Sequence, residues 1–260
     1  MRHFITMSDN LQLKYPIVLV HGLGALGTLG PFEYFYKIPA WLRKHNNRFH
    51  VVNLSFWHSI NHRAEELDRA MKNIFPGEKV NLIGHSMGGL DARLFTTRFD
   101  LGQRVASVTT IGTPNRGTAI VDHFLELFLN DVMDKTESLA KKLRMSHQGF
   151  REVGKKNFDA YFSKTITDVP GVGYFSATSV IPSPVVLNSL PMFWLTHPIL
   201  KHYEGDNDGF VSEESARWGH HICTYRGDHY SQIGQIFGQA KLKHLNFFGD
   251  IIGRLRKEGF

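Results

Sequence analysis

The sequence predicts an α/β fold: a mostly parallel sheet with helices on both faces. Two stretches carry that expectation. Tyr15 to Gly24 is a continuous apolar run ending in His21-Gly22. Unbroken rather than alternating apolarity suits a parallel strand buried on both faces. In Lys79 to Arg93, the apolar run Val80 to Ile83 enters a Gly-x-Ser-x-Gly turn, and a helix-compatible stretch, Leu90 to Thr97, leaves it. Strand, tight turn and helix in that order give the motif a mechanism.

The other elements follow in chain order. Gly22 to Gly30 is a loop at the exit of the first strand, the sheet edge where open α/β folds place their sites. Pro31 to Lys44 carries Phe35, Ile38, Trp41 and Leu42 at helical spacing, and Phe49 to Leu54 is a strand. Asn61 is expected to cap a helix reaching about Ile74, with Ala64, Leu67 and Met71 on one face. Val105 to Ile111 is a strand that ends in the loop Gly112 to Thr118. From Ala119 to Pro170 helical segments succeed one another without a strand, with Val121, Phe124, Leu125 and Phe128 on one apolar face and Phe150, Val153, Phe158, Tyr161 and Phe162 on another. This predicts an inserted helical cap over 119–170 within a single domain spanning 1–260, the alternative being peripheral helices packed on the sheet. Gly173 to Val180 returns to the sheet. Ile181 to Leu200 holds Pro182, Pro184, Pro191 and Pro198 and is expected to be too broken for a regular helix. His220 to Tyr225 is a last strand and His244 to Arg256 a C-terminal helix.

Composition narrows the class. With 260 residues, 42% apolar and 21% charged, the chain can bury a sizeable core. It has no run of about 18 apolar residues, so no transmembrane helix is expected, and no apolar signal region follows Met1. The single cysteine, Cys223, excludes an intramolecular disulfide. A cytoplasmic protein, or one exported without a cleaved signal peptide, is the expectation. The formal charge of +6 is dispersed, with short basic clusters at 141–144, 155–156 and 254–257 and no nucleic-acid motif beside them. Nucleic acid is therefore not an expected partner, whereas weak association with anionic lipid interfaces is compatible with this charge.

The chemistry centres on Ser86. Gly84 and Gly88 permit a sharp turn, Ser86 sits at its tip beside the positive end of a helix, and the Met87 amide can face a developing oxyanion. A serine hydroxyl needs a base, and the base needs a carboxylate to set its tautomer. Where the chain order is Ser, acid, His, two downstream turns fit: Gly205 to Val211 and Gly227 to Tyr230. Asp208 is the expected acid, with Asp206 its rival, and His229 the expected base. His21 is expected to position the first loop and His85 to pack beneath the serine. Phe32, Phe35, Tyr36, Phe56, Trp57, Phe193 and Trp194 are candidates for an apolar acyl pocket, each with a place in the core as the alternative. No His/Cys/Asp cluster has metal-ligand spacing.

Together YPIVLVHGL (15–23), VNLIGHSMGG (80–89), VASVTTIGTPNRG (105–117), NDGFVS (207–212) and the stretch from His229 to Gly238 resemble the true bacterial triacylglycerol lipases of the Pseudomonas, Burkholderia and Proteus type, of the α/β-hydrolase superfamily. The resemblance implies Ser86 as nucleophile, Asp208 as acid, His229 as base, and the Leu23 and Met87 amides as the oxyanion hole. Two departures stand out. Met87 replaces the usual Gln, which changes little because the backbone amide acts. Ser231 stands where the family carries an aspartate that helps hold a structural calcium, and no acidic residue lies in 180–202, so the calcium is expected to be absent. The implied function is carboxylic ester hydrolysis on lipophilic acyl esters such as triacylglycerols. An acyltransferase or thioesterase with the same triad, and a non-catalytic binding protein on the same fold, are the rivals.

Overall fold

The structure is a computed structural model that describes residues 11–23, 28–29, 32–124, 148–156, 158, 162, 165–182, 190–235 and 242–260. Its elements are β1 (Ile17–Val20), β2 (Thr28–Leu29), β3 (Phe32–Glu33), α1 (Ile38–Lys44), β4 (Phe49–Val52), α2 (Ile60–Met71), β5 (Val80–His85), α3 (Met87–Phe95), β6 (Val105–Ile111), α4 (Ala119–Phe124), α5 (Gln148–Glu152), β7 (Gly173–Val180), α6 (Pro191–Glu204), α7 (Glu213–Ala216), β8 (His220–Arg226) and α8 (His244–Lys257). Six strands pair in the order β4-β1-β5-β6-β7-β8, every pair parallel, while β2 and β3 form a separate antiparallel pair.

The unbroken apolarity of the central strands is explained by two cores. Val18 and Val20 of β1 join Leu82, Leu90 and Val108 on the face covered by α2 and α3. Ile17 and Leu19 join Ile83, Phe247 and Phe248 on the face covered by α1 and α8. Side chains alternate across a strand, so a strand covered on both sides must be apolar at both phases. The chain runs outward from β1 to β4 and then returns to β5 on the other side of β1. Such a reversal opens a crevice at the C-terminal strand ends.

Several boundaries differ from expectation for local physical reasons. The helix after Ser86 begins at Met87, so Gly88 and Gly89 are its first turn rather than an extended linker. A Cβ on Gly88 would lie 2.3 Å from the Val20 carbonyl oxygen, so glycine is there for close packing of helix on strand. The helix expected over 31–44 starts only at Ile38, and β3 precedes it. Ser59, not Asn61, caps α2, its hydroxyl accepting from the His62 amide at 3.1 Å. The proline-rich stretch contains a regular helix, α6, against expectation. Pro191 occupies its first turn, where no amide partner is needed, and Pro198 lies on the exposed face, where water can satisfy the freed carbonyl. Of the segment 119–170, α4 packs on α6, and Val153, Phe158, Phe162 and Ile166 enter the core beneath α2 and α3. Leu125, Phe128 and Tyr161 of the expected cap lie outside the described residues. Among the described residues, no helix is long and apolar enough to cross a membrane.

Candidate active site

Register brings the nucleophile and the first loop together. Val20 of β1 pairs with Gly84 of β5, so Gly22 and Ser86 emerge level at the same edge. A Cβ on Gly22 would stand 2.8 Å from the Ser86 Cβ, so only glycine lets the two segments approach this closely. Ser86 adopts φ 56° and ψ −134°, a conformation that L-residues rarely hold and that costs on the order of 1–3 kcal/mol. Gly84 relieves the turn from within, since a Cβ there would lie 2.4 Å from the Gly88 carbonyl oxygen. Among the described residues, neither the Leu23 nor the Met87 amide donates a hydrogen bond, and the Ser86 hydroxyl makes none.

Asp208 and His229 meet at the same edge. His229 Nδ1 donates to Asp208 Oδ2 at 2.7 Å, and the His229 amide donates to the Asp208 carbonyl at 2.9 Å. Asp208 Oδ1 accepts from the Phe210 and Val211 amides at 3.0 and 2.8 Å. The carboxylate is fully buried, and with the Nδ1 proton directed to it the neutral imidazole presents Nε2 as its acceptor. Asp206, the rival acid, is exposed and pairs with Lys201 at 2.5 Å. His21 is buried, with Nε2 accepting from the Leu54 amide at 2.9 Å and Nδ1 donating to the Gly22 carbonyl at 2.8 Å. Burial, aided by Arg63, lowers its pKa to about 4, so it supports the loop as a neutral ring. His85 lies beneath the serine and is held well below the usual histidine range by burial.

Residues that sequence patterns did not single out tie these parts together. The Gly22 amide donates to the Tyr34 hydroxyl at 3.1 Å, which donates to His85 Nδ1 at 2.7 Å, and His85 Nε2 donates to the His229 carbonyl at 3.1 Å. This relay joins the first loop to the histidine loop through the elbow. Gln232 Nε2 donates to Asp208 Oδ2 and to Ser179 Oγ, both at 2.8 Å. Gln235 Nε2 donates to the Tyr34 carbonyl at 2.6 Å. On the other flank, fully buried Arg63 pairs with Asp91 at 2.8 Å and donates to the His21 carbonyl at 2.6 Å. Burial pushes the Asp91 carboxyl up to about 7 against the pull of Arg63. No local motif marks Tyr34 or Gln232, and each is identified only by its partners.

The expected acyl-pocket residues divide. Phe193 is fully buried against Phe210 and Tyr230, the two rings that flank His229. Trp194, Phe56 and Tyr36 are exposed, Trp57 is half-buried, and Phe35 belongs to the core under α1. The side chain of Phe32 lies outside the described residues. Among the described residues, no group of three or more His, Cys, Asp or Glu side chains could hold a metal ion. Ser231 donates its hydroxyl to the Asp228 carbonyl at 2.7 Å, and Asp228 Oδ1 accepts the Ser231 amide at 2.8 Å. Among the described residues this turn offers one carboxylate, already engaged within it, where a hard cation takes several oxygen ligands.

Strand order, elbow and sheet-edge loops together define a class. The chain belongs to the alpha/beta hydrolase fold family, whose profile matches residues 15–153, just over half its length. Within that family it is 39% identical over 124 residues to the triacylglycerol lipase of Vibrio cholerae, covering 46% of this chain. It spans about two fifths (39%) of that relative's length, and 38% and 34% of the lipases of Pseudarthrobacter phenanthrenivorans and Burkholderia plantarii. It is 25% identical over 296 residues to the triacylglycerol lipase of Pseudomonas fragi, covering 97% of this chain and all of that one. The crystal structure of a Bacillus licheniformis lipase in its mature form shares the fold, with a TM-score of 0.71, 21% identity and coverage of 92% and 91% of the two chains.

Proposed function

We propose that the protein hydrolyses carboxylic esters with lipophilic acyl chains through an acyl-enzyme on Ser86. The observation that carries this is the meeting at one sheet edge of a strained serine, a glycine backbone pressed against it, and a buried Asp208–His229 pair. Ser86 Oγ attacks the ester carbonyl carbon as its proton passes to His229 Nε2. Asp208 stabilises the imidazolium, and the leaving alcohol takes the proton as the carbon–oxygen bond breaks. Water then attacks the acyl carbonyl, its proton passing to His229 and on to Ser86, releasing the carboxylate. The Leu23 and Met87 amides receive the oxyanion, each worth roughly 3 kcal/mol. The Ser86–His229 hydrogen bond forms as substrate binds, since such bonds are often long or unmade without it.

The names of the relatives support a triacylglycerol-like substrate. Exposed Met192, Trp194 and Leu195 on α6, with Phe193 of the same helix packed on Tyr230 next to His229, support contact with a lipid surface. The segment 119–170 is proposed as the cap. Fluorophosphonate labelling of Ser86, followed by an ester series of increasing chain length, tests this function. No labelling, or a preference confined to short water-soluble esters, would count against it.

A further inference from the structure

Arg93 is only 2% exposed and, among the described residues, makes no direct ion pair with a carboxylate. Its Nη1 donates to the neutral Asn115 Oδ1 at 3.0 Å, its plane lies 3.6 Å over the Trp218 ring, and its Nε has no partner. A guanidinium carries five donors and keeps its charge even though burial lowers its pKa to about 10. Buried charges are normally paired, and here the main acidic influence is Asp168, which acts on Arg93 without forming a direct ion pair among the described residues.

Arg93 lines a cavity of about 400 Å³ that none of Ser86, Asp208 and His229 touches. Arg116 and Lys155 stand at the same cavity, both exposed, and among the described residues Lys155 makes no ion pair. Two carboxylates also line it. Glu204 is engaged by the Ala119 amide and the Ser212 hydroxyl, both at 2.6 Å, and Glu214 is exposed. Phe158, Phe162 and Ile166 supply an apolar wall. Trp218 is itself fixed, its indole donating to Asp168 Oδ1 at 3.0 Å, so the guanidinium that lies over it is held in place at the cavity wall.

We propose that this cavity is a second ligand site, for the carboxylate end of an apolar acid, with Arg93 and Arg116 meeting the carboxylate and Phe158, Phe162 and Ile166 flanking the chain. That the acid is of the product class rests on the proposed hydrolysis; the anion site does not. The test is calorimetric titration of the full chain with decanoate below its micelle-forming concentration. Decanol serves as the uncharged control and inorganic phosphate as the tail-less anion. Decanoate should bind and raise the Tm, decanol should not, and phosphate should bind more weakly. Arg93→Met and, independently, the double change Arg116→Gln/Lys155→Gln should each weaken decanoate binding by about tenfold or more, the scale of a lost charged contact. Decanoate-saturated protein should still label at Ser86 with a fluorophosphonate. Equal binding of decanol, unchanged binding in both variants, phosphate binding as tightly as decanoate, or loss of labelling under decanoate would each overturn the proposal. Failure of the untreated protein to label would instead count against the hydrolase function and leave the binding result standing.

Discussion

Arg63 and Arg93 lie equally deep, at 0% and 2% exposure, yet their surroundings differ. Arg63 on α2 is met by Asp91 of α3 and by the carbonyls of Ser55 and His21, so one side chain ties four segments together beneath the elbow. Arg93 has one amide oxygen, an aromatic face and an adjoining cavity. The first arrangement makes a frame, because every strong donor direction ends on protein. The second borders a cavity, which is why the ligand site is proposed there. The frame supports the loops at the strand ends, where the proposed chemistry lies.

The largest effect should come from breaking the chemistry while leaving both arginines alone. Ser86→Ala should lower ester turnover by about 10⁴-fold or more with an unchanged Tm, as loss of a triad nucleophile does elsewhere. Its decanoate binding should match wild type, which would separate rim from cavity. Next is the frame itself. Arg63→Met should destabilise by about 3–5 kcal/mol in denaturant melts, because it leaves Asp91 buried without its partner. The double change Arg63→Met/Asp91→Leu should recover most of that loss, and no recovery would show that Arg63 matters through His21 and Ser55 instead.

A smaller effect is expected from the relay. Tyr34→Phe keeps the ring but removes the link from Gly22 to His85, and should reduce kcat by about tenfold with little change in KM, near the scale of one hydrogen bond. An equal fall in stability and activity would mark Tyr34 as packing alone. The smallest effect should be that of Arg93→Met on the ligand-free protein, within about 1 kcal/mol of wild type, since no ion pair is broken. A loss as large as that for Arg63→Met would erase the contrast between the two sites.

Much of this was legible in the sequence, and what was not has identifiable causes. The elbow was readable because Gly84 and Gly88 are demanded by atoms a few ångströms away in a local turn. The α6 helix is not legible in the sequence because four prolines signal a break, and only the folded chain shows that Pro198 faces solvent. Phe193 and Trp194 are adjacent in sequence and equal in composition, but helix phase buries one and exposes the other. Asp206 and Asp208 share one turn, and only the arrival of His229 distinguishes them.

The sequence by itself determined the parallel sheet, the position of Ser86 and the order of acid and base loops. These follow from apolar periodicity, glycine sterics and chain order, all of which act over short stretches. Tertiary structure alone decided that Tyr34 and His85 join the loops, with His85 and His229 lying 144 residues apart, that Gln232 holds Asp208, and that Arg93 is left with a cavity in place of a carboxylate. The physical reason is that a buried polar group is defined by the partners that reach it, and those partners come from segments whose meeting only the packed sheet fixes.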